Sequence, residues 1–356
     1  MNALLEVKNL NVDLNLPAGA LHAVRNVSFS VQKGKTLSLV GESGCGKSIT
    51  ALAIMDILPT SASYSAEKME FEGHDLLKLN EKKMSRFRGA KMAMIFQEPM
   101  TSLDPCYTIG DQLTEALTEH KKVSSKEARD RAVFLLEKVG ITGSASRLKQ
   151  YPHQLSGGLR QRIMIAMGLM CGPSLIIADE PTTALDVTIQ AQILRLLASI
   201  QKEFNMGMIL ITHDLGVVAR IADDVAVMYC GEVVETGNIA QIFNNPIHPY
   251  TRGLMECIPI PGKTKPGEKL GSIPGIVPAP IGDLWGCTFR NRCSLATMEC
   301  AARDLELTQI SDTRSFRCTK PPNYMPNDTP DGTPDKILNK KMGKADPMAI
   351  KAQEMI

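Results

Sequence analysis

Aromatic side chains are scarce in this 356-residue chain, at 4% with Trp285 the one tryptophan, and neither sign of charge is in excess. Lys+Arg 40 against Asp+Glu 38 leaves a net charge of +2, which argues against a protein that coats nucleic acid, so no nucleic-acid partner is expected. Long hydrophobic runs are also missing. The longest apolar stretch, Ile163 to Ala178, is broken by Gly168, Gly172, Pro173 and Ser174, short of the ~20 residues a membrane span requires. It reads as a buried helix followed by a buried strand. Met1–Asn11 carries Glu6 and Lys8 without the basic-then-apolar order of a secretory signal, so a cytoplasmic chain is expected. In a reducing compartment the nine cysteines are expected as core filler or metal ligands rather than disulfides.

What is present is unevenly spread. The length exceeds one ordinary domain of ~100–200 residues, and 44% hydrophobic with 22% charged residues is a globular composition. Twelve of the 21 prolines and five of the nine cysteines fall from Cys257 onward, so the far end must be built differently. Leu4–Leu16 and Leu21–Val31 alternate like antiparallel strands around a turn at Pro17-Ala18-Gly19. Thr36–Val40, a glycine-rich loop and Lys47–Leu58 form a strand–loop–helix unit that stops at Pro59. Residues 98–170 read as mostly helical, with a capping box at Ser124 and Glu127 and a stop at Gly140. Strands return at Leu175–Ala178 and Met208–Thr212 around a helix at Ile189–Phe204, the rhythm of a parallel sheet, and Val225–Tyr229 and Glu232–Glu235 add late strands. The expected fold class is α/β, with residues 1–255 as the main domain. A Pro/Cys-rich extension follows at 256–327, and a lysine-bearing flexible tail at 328–356.

Three motifs carry the chemistry. Gly41-Glu42-Ser43-Gly44-Cys45-Gly46-Lys47-Ser48 matches G-x-x-x-x-G-K-[ST] between a strand and a helix, with Ile49 opening that helix. Its backbone N–H groups and the helix N-terminus suit phosphates, Lys47 reaches the β and γ phosphates, and Ser48 can ligate Mg²⁺. Leu175–Ala178 runs into Asp179 and Glu180, placing one carboxylate at the Mg²⁺ shell and the other beside an attacking water. Leu155-Ser156-Gly157-Gly158-Leu159-Arg160-Gln161 makes a second anion-binding helix start, which is explained if it meets a nucleotide held by another subunit.

With Gln97, Ala184-Leu185-Asp186 and His213 in the same order, these segments resemble the motif set of the ABC-type ATPases. The resemblance implies an ABC ATPase fold with an N-terminal antiparallel subdomain and a helical subdomain at 98–170. It makes Ser156, Gly157, Gly158 and Gln161 part of the signature, Gln97 the Mg²⁺-sensing loop glutamine, Asp186 a dimer contact, Glu180 the catalytic carboxylate and His213 the switch histidine. It departs in one respect: no aromatic residue precedes Phe29 to stack on adenine, so His22 or neighbouring aliphatic residues are expected there. Cys45 lies at a helix N-terminus, where thiol pKa values fall, so an alkylatable thiol protected by ATP is expected.

Cys287, Cys293, Cys300 and Cys318 form C-x5-C-x6-C-x17-C in a segment with little core of its own. Four thiolates suit Zn²⁺ or an iron–sulfur cluster, free packed thiols being the plainer alternative, and the wide spacings favour a larger cubane. Cys106, Cys171, Cys230 and Cys257 read as packing residues. Met100–Pro105, Asn245–Thr251, Gly286-Cys287 and Arg292-Cys293 resemble the ATP-binding subunits of dipeptide and oligopeptide importers, some of which hold a [4Fe–4S] cluster in this extension. That resemblance spans about residues 1–325. It implies a second ATPase subunit, a paralogue or a copy, two transmembrane permeases and an external substrate-binding protein. It also implies a peripheral place on the cytoplasmic face of the inner membrane. Nickel and antimicrobial-peptide importers share this type of subunit. A DNA- or ribosome-acting ABC ATPase would call for two cassettes, a coiled coil or basic patches, an exporter for a fused membrane segment, and a metal-sensing module for the cysteines as its main site.

Overall fold

The computed structural model describes residues 3–17, 19–98, 102–183, 185–258, 271–282, 284–302 and 305–322. Ala18 of the first turn, Met100 and Thr101, Ala184, the prolines at 259, 261 and 266, and the tail from 328 lie outside the described residues. The chain runs through β1 (Leu5–Leu16), β2 (Gly19–Val31), β3 (Thr36–Val40), α1 (Lys47–Ile54), β4 (Ala62–Ser65), β5 (Lys68–Phe71), β6 (His74–Asp75) and β7 (Met92–Ile95). Helices α2 (Ile109–Thr118), α3 (Ser125–Lys138) and α4 (Gly157–Gly168) follow, numbering helices of six residues or more. Then come β8 (Leu175–Asp179), α5 (Val187–Phe204), β9 (Gly207–Thr212), α6 (Leu215–Ile221), β10 (Asp224–Tyr229), β11 (Glu232–Asn238), α7 (Ile239–Asn244) and α8 (Pro249–Glu256). Strands β12 (Thr308–Ser311) and β13 (Arg314–Phe316) close the described chain.

Two sheets result. β1 and β2 pair antiparallel, as their alternation predicts, and β4, β5 and β6 complete a five-stranded antiparallel sheet. The larger sheet has the order β12-β13-β11-β10-β3-β9-β8-β7, and β10, β3, β9, β8 and β7 run parallel. Every residue of β3, β8 and β9 is buried, which is why these strands are mainly apolar without alternation: a central parallel strand is covered on both faces. The capping box on α3 forms in both halves, and Gly140 at φ 78 terminates that helix region. Helix α1 is shorter than expected, because Asp56 adopts φ 53 and turns the chain away well before Pro59.

The late segments do not hang off the main body. β13 pairs with β11, Glu235 opposite Phe316, and so extends the same sheet. Beneath it the buried Glu235 carboxylate accepts from Arg314 at 2.5 Å and from the backbone N–H groups of Ile247 and His248 at 2.8 and 2.9 Å. Phe289 of the extension packs on Tyr229 of β10 and Tyr250 of α8, with ring centroids 5.2 and 5.3 Å apart.

Candidate functional site

Strand β3 delivers the chain to the glycine loop at the carboxyl edge of the parallel strands, the usual ligand edge of an open α/β sheet. Two glycines are sterically required there. Gly46 caps α1 at φ 96, where a Cβ would collide with the carbonyl oxygen of Ala23, and a Cβ on Gly41 would collide with that of Met228. Lys47 is buried at 4% exposure, its ammonium donating to the carbonyls of Gly41 (2.8 Å) and Glu42 (2.9 Å). The cation is thus held by the loop's own carbonyls at the start of α1. Ser43, Gly44, Gly46, Lys47, Ser48, Ile49, Gln97 and Glu180 line one cavity of about 360 Å³.

Asp179 stands behind this cavity and accepts from the Ser48 hydroxyl at 2.9 Å. Burial, with the neighbouring Glu180 charge, pushes its carboxyl above the usual range against the pull of Ser48. Glu180, at φ 42, leaves the strand in a left-handed conformation uncommon for a non-glycine residue. Its carboxylate meets His213 Nδ1 at 3.2 Å, Gln97 Nε2 at 3.2 Å and the Thr183 hydroxyl at 2.8 Å. The His213 bond holds Glu180 below the ordinary carboxylate value, and the same bond raises His213. An ionised carboxylate beside the cavity can accept a proton from water, and the Ser48 hydroxyl with the Asp179 carboxylate bonded to it offers hard oxygen donors of the kind that suit Mg²⁺.

The other expected residues are placed unequally. His22 does not line the cavity; its ring bonds Asp13 at 2.7 Å, while the adjacent Leu21 and Ala23, with Leu14 and Leu52, form an aliphatic wall. Cys45 corrects an expectation outright: it is 0% exposed, and burial raises its thiol despite the helix N-terminus and Lys47. Ser156 and Gly157 are exposed at the start of α4, open to a second subunit. Gln161, by contrast, is buried at 1% exposure, which turns it away from any partner. Asp186 caps α5 by accepting from the Ile189 N–H at 2.9 Å and stays exposed.

The four extension cysteines surround one small cavity, together with His248, Phe289 and Leu305. Burial pushes Cys287 up to about 12 and Cys293 up to about 11, and raises Cys318. Burial acts on Cys300 as well, but bonds from the Thr297 backbone and from the Thr319 and Thr297 hydroxyls outweigh it and leave that thiol lowered. Among the described residues, no group of three or more His, Cys, Asp or Glu side chains is arranged to hold a metal ion.

A family model described as ABC transporter matches residues 24–183, and one described as Oligopeptide/dipeptide transporter, C-terminal region, matches residues 234–300. The chain is 48% identical over 319 residues to the dipeptide transport ATP-binding protein DppD of Escherichia coli (strain K12), covering 90% of this chain and 97% of that protein. It is also 48% identical over 320 residues to the oligopeptide transport ATP-binding protein AppD of Bacillus subtilis (strain 168), at 89% and 97% coverage. The chain belongs to this ABC transporter family. Its fold agrees with a post-hydrolysis dimer of the ATP-binding cassette MJ0796 bound to ADP and Pi, at TM-score 0.59 and 26% identity over 66% of this chain and 98% of that one. It agrees equally with cbiO1 from Clostridium perfringens, part of the ABC transporter complex cbiONQ, at TM-score 0.59 and 28% identity over 68% and 92%. Among the described residues of this ABC ATPase, no helix is long and apolar enough to cross a membrane.

Sequence reasoning missed several members of the site. Ala279 and Pro280, from the extension, form part of the cavity wall, and the Pro280 carbonyl accepts from the His22 N–H at 2.8 Å. Thr183 had no signal beyond standing three residues after Glu180. Arg292 reaches Glu42 across 250 positions of sequence, a distance over which no spacing rule operates.

Proposed function

We propose that this chain is the ATP-hydrolysing subunit of a membrane importer for dipeptides or oligopeptides. The observation that carries the reading is one cavity where the loop of Lys47 and Ser48 faces Gln97 and Glu180, with His213 bonded to that carboxylate. The match of the C-terminal region supports peptide cargo over the nickel and antimicrobial-peptide alternatives. In this reading the loop N–H groups and Lys47 bind the β and γ phosphates, and Ser48, Asp179 and Gln97 hold Mg²⁺. Bound Mg²⁺ supplies charge neutralisation at the phosphates. Glu180 orients the attacking water and takes its proton, while His213 fixes the carboxylate and reaches toward the γ phosphate.

Ser156, Gly157 and Gly158 of one subunit close on the nucleotide of a second, a paralogue or a copy, with Asp186 near the seam. ATP then acts as a ligand of higher affinity for the closed pair, and hydrolysis releases it to reset two permeases at the cytoplasmic face of the membrane. An external binding protein presents the peptide. Glu180→Gln should lower turnover by about 10²–10⁴-fold and accumulate ATP-bound dimers on size exclusion. Wild-type turnover in that variant removes Glu180 from the role.

The four thiols of the extension are read as ligands of a [4Fe–4S] cluster. Their presence in the lining of a single cavity supports a shared ligand, and the wide C-x5-C-x6-C spacing, without the short Cys-x2–4-Cys pairs usual at Zn²⁺ sites, favours the cluster over Zn²⁺. The cavity measures about 10 Å³, so its walls must give when a cluster is seated. A bound cluster would cross-link a segment that has little core of its own. Protein purified anaerobically should be brown with about four irons per chain; a colourless protein with one zinc sinks this reading.

A further inference from the structure

We propose that Arg292 of the C-terminal extension is a positioning residue for nucleotide binding, acting through Glu42 of the phosphate loop. The proposal rests on the reading of Gly41–Ser48 as the ATP site and adds a control on it from outside the motifs.

Glu42 is the second residue of the loop, and its polar groups are held from several directions. Its N–H donates to the Tyr250 hydroxyl at 2.9 Å, and its carbonyl accepts from Lys47 Nζ at 2.9 Å. Its carboxylate takes two parallel bonds from Arg292, at 2.7 and 2.9 Å. The arginine is itself fixed. Its side chain is 4% exposed, Nε donates to the Pro274 carbonyl at 2.8 Å, and one terminal nitrogen also donates to the Ile273 carbonyl at 3.2 Å. The guanidinium lies over the rings of Tyr229 and Phe289, 5.7 and 5.9 Å from their centroids.

A planar fork with five donors can bridge a carboxylate, two carbonyls and two ring faces together, which a lysine ammonium cannot. A carboxylate at this position of the loop is not needed to wrap phosphate, since that is done by backbone N–H groups. The ion pair instead fixes the Glu42 backbone, and the Glu42 carbonyl is one of the two that fix the Lys47 ammonium. Arg292 therefore sets where the phosphate-binding cation stands. Its chain neighbour Cys293 lines the cysteine cavity, so movement of that wall has a short covalent path to the nucleotide.

The test is equilibrium binding of MgATP to the intact chain, with steady-state kinetics alongside. Arg292→Met and Glu42→Gln should each raise Kd on the order of tenfold, the effect of losing one charge-assisted bond pair, and the loss should fall on KM more than on kcat. The double variant should bind no worse than either single one, because both remove the same link. Arg292→Lys should recover only part of the affinity. Arg317→Met is the control: Arg317 ties the same extension to the Val233 carbonyl and Glu232 of β11 and to the Leu305 carbonyl, with no bond to Glu42 or Lys47, and its loss should lower Tm with Kd unchanged. Wild-type Kd in Arg292→Met, additive losses in the double variant, or an equal rise in Arg317→Met each overturn the proposal. Failure of the wild-type chain to bind MgATP would instead overturn the reading of the loop itself.

Discussion

One carboxylate, that of Glu180, gathers side chains from three separate stretches of the chain: Gln97 after β7, Thr183 in the following turn and His213 after β9. The His213 imidazole is raised from 6.5 by this bond and Glu180 is lowered from 4.5. The raised histidine stabilises the fold fully below 6.5, and that support fades as pH rises through its folded value. The lowered glutamate contributes fully above 4.5 and fades as pH falls through its own. The pair's contribution is therefore complete between about pH 4.5 and 6.5 and declines above that range as the histidine loses its proton. An NMR titration of the His213 ring should give a midpoint above 6.5 in the wild type, moving back toward 6.5 in Glu180→Gln. Identical midpoints in the two proteins would show that the bond does not set the charge. At this scale the sequence was legible wherever a motif is contiguous, as at Lys47, Ser48, Asp179 and Glu180. Cys45 was misread because a helix N-terminus is visible in sequence whereas the burial that opposes it depends on packing from distant strands. Gln161 shows the same limit, its side chain lying in the interior.

Elements were legible in proportion to length and periodicity. β1, β2, α3 and α5 announced themselves by alternation, a capping box or a 3.6-residue period, whereas β4 to β7 are two to four residues long and carry too few positions to show a pattern. β13, only three residues long, owes its place to a tertiary contact. The Arg314–Glu235 pair pins it to β11, with side-chain exposures of 6% and 0%. Arg314→Met leaves a buried carboxylate without its counter-charge and should cost about 3–5 kcal/mol of unfolding free energy. Burial already raises Glu235, and a neutral carboxyl is easier to bury than an ionised one, so the cost should shrink as pH is lowered. Denaturant titrations at two pH values check this. A loss under about 1 kcal/mol that ignores pH would make the pair a bystander.

For the molecule as a whole, the uneven cysteines and prolines invite a picture of an ATPase cassette with an appendage. The packing contradicts a loose attachment at three places. β13 belongs to the main sheet, Phe289 is buried between Tyr229 and Tyr250, and the segment around Pro280 lies along the edge of β2 and walls the nucleotide cavity. Segments sharing one sheet and one apolar core lose their support together, so the extension and the cassette should unfold as one cooperative unit. The scarcity of tryptophan makes this measurable, since Trp285 reports on the extension alone while far-UV circular dichroism reports on the helices of the cassette. Under anaerobic guanidinium titration the two signals should share a midpoint, and Arg292→Met should shift both together. A Trp285 transition that precedes the loss of helix by a clear margin would mean that the extension docks on an independently stable cassette. In that case its influence on the phosphate loop would be that of a detachable regulator rather than of a structural wall.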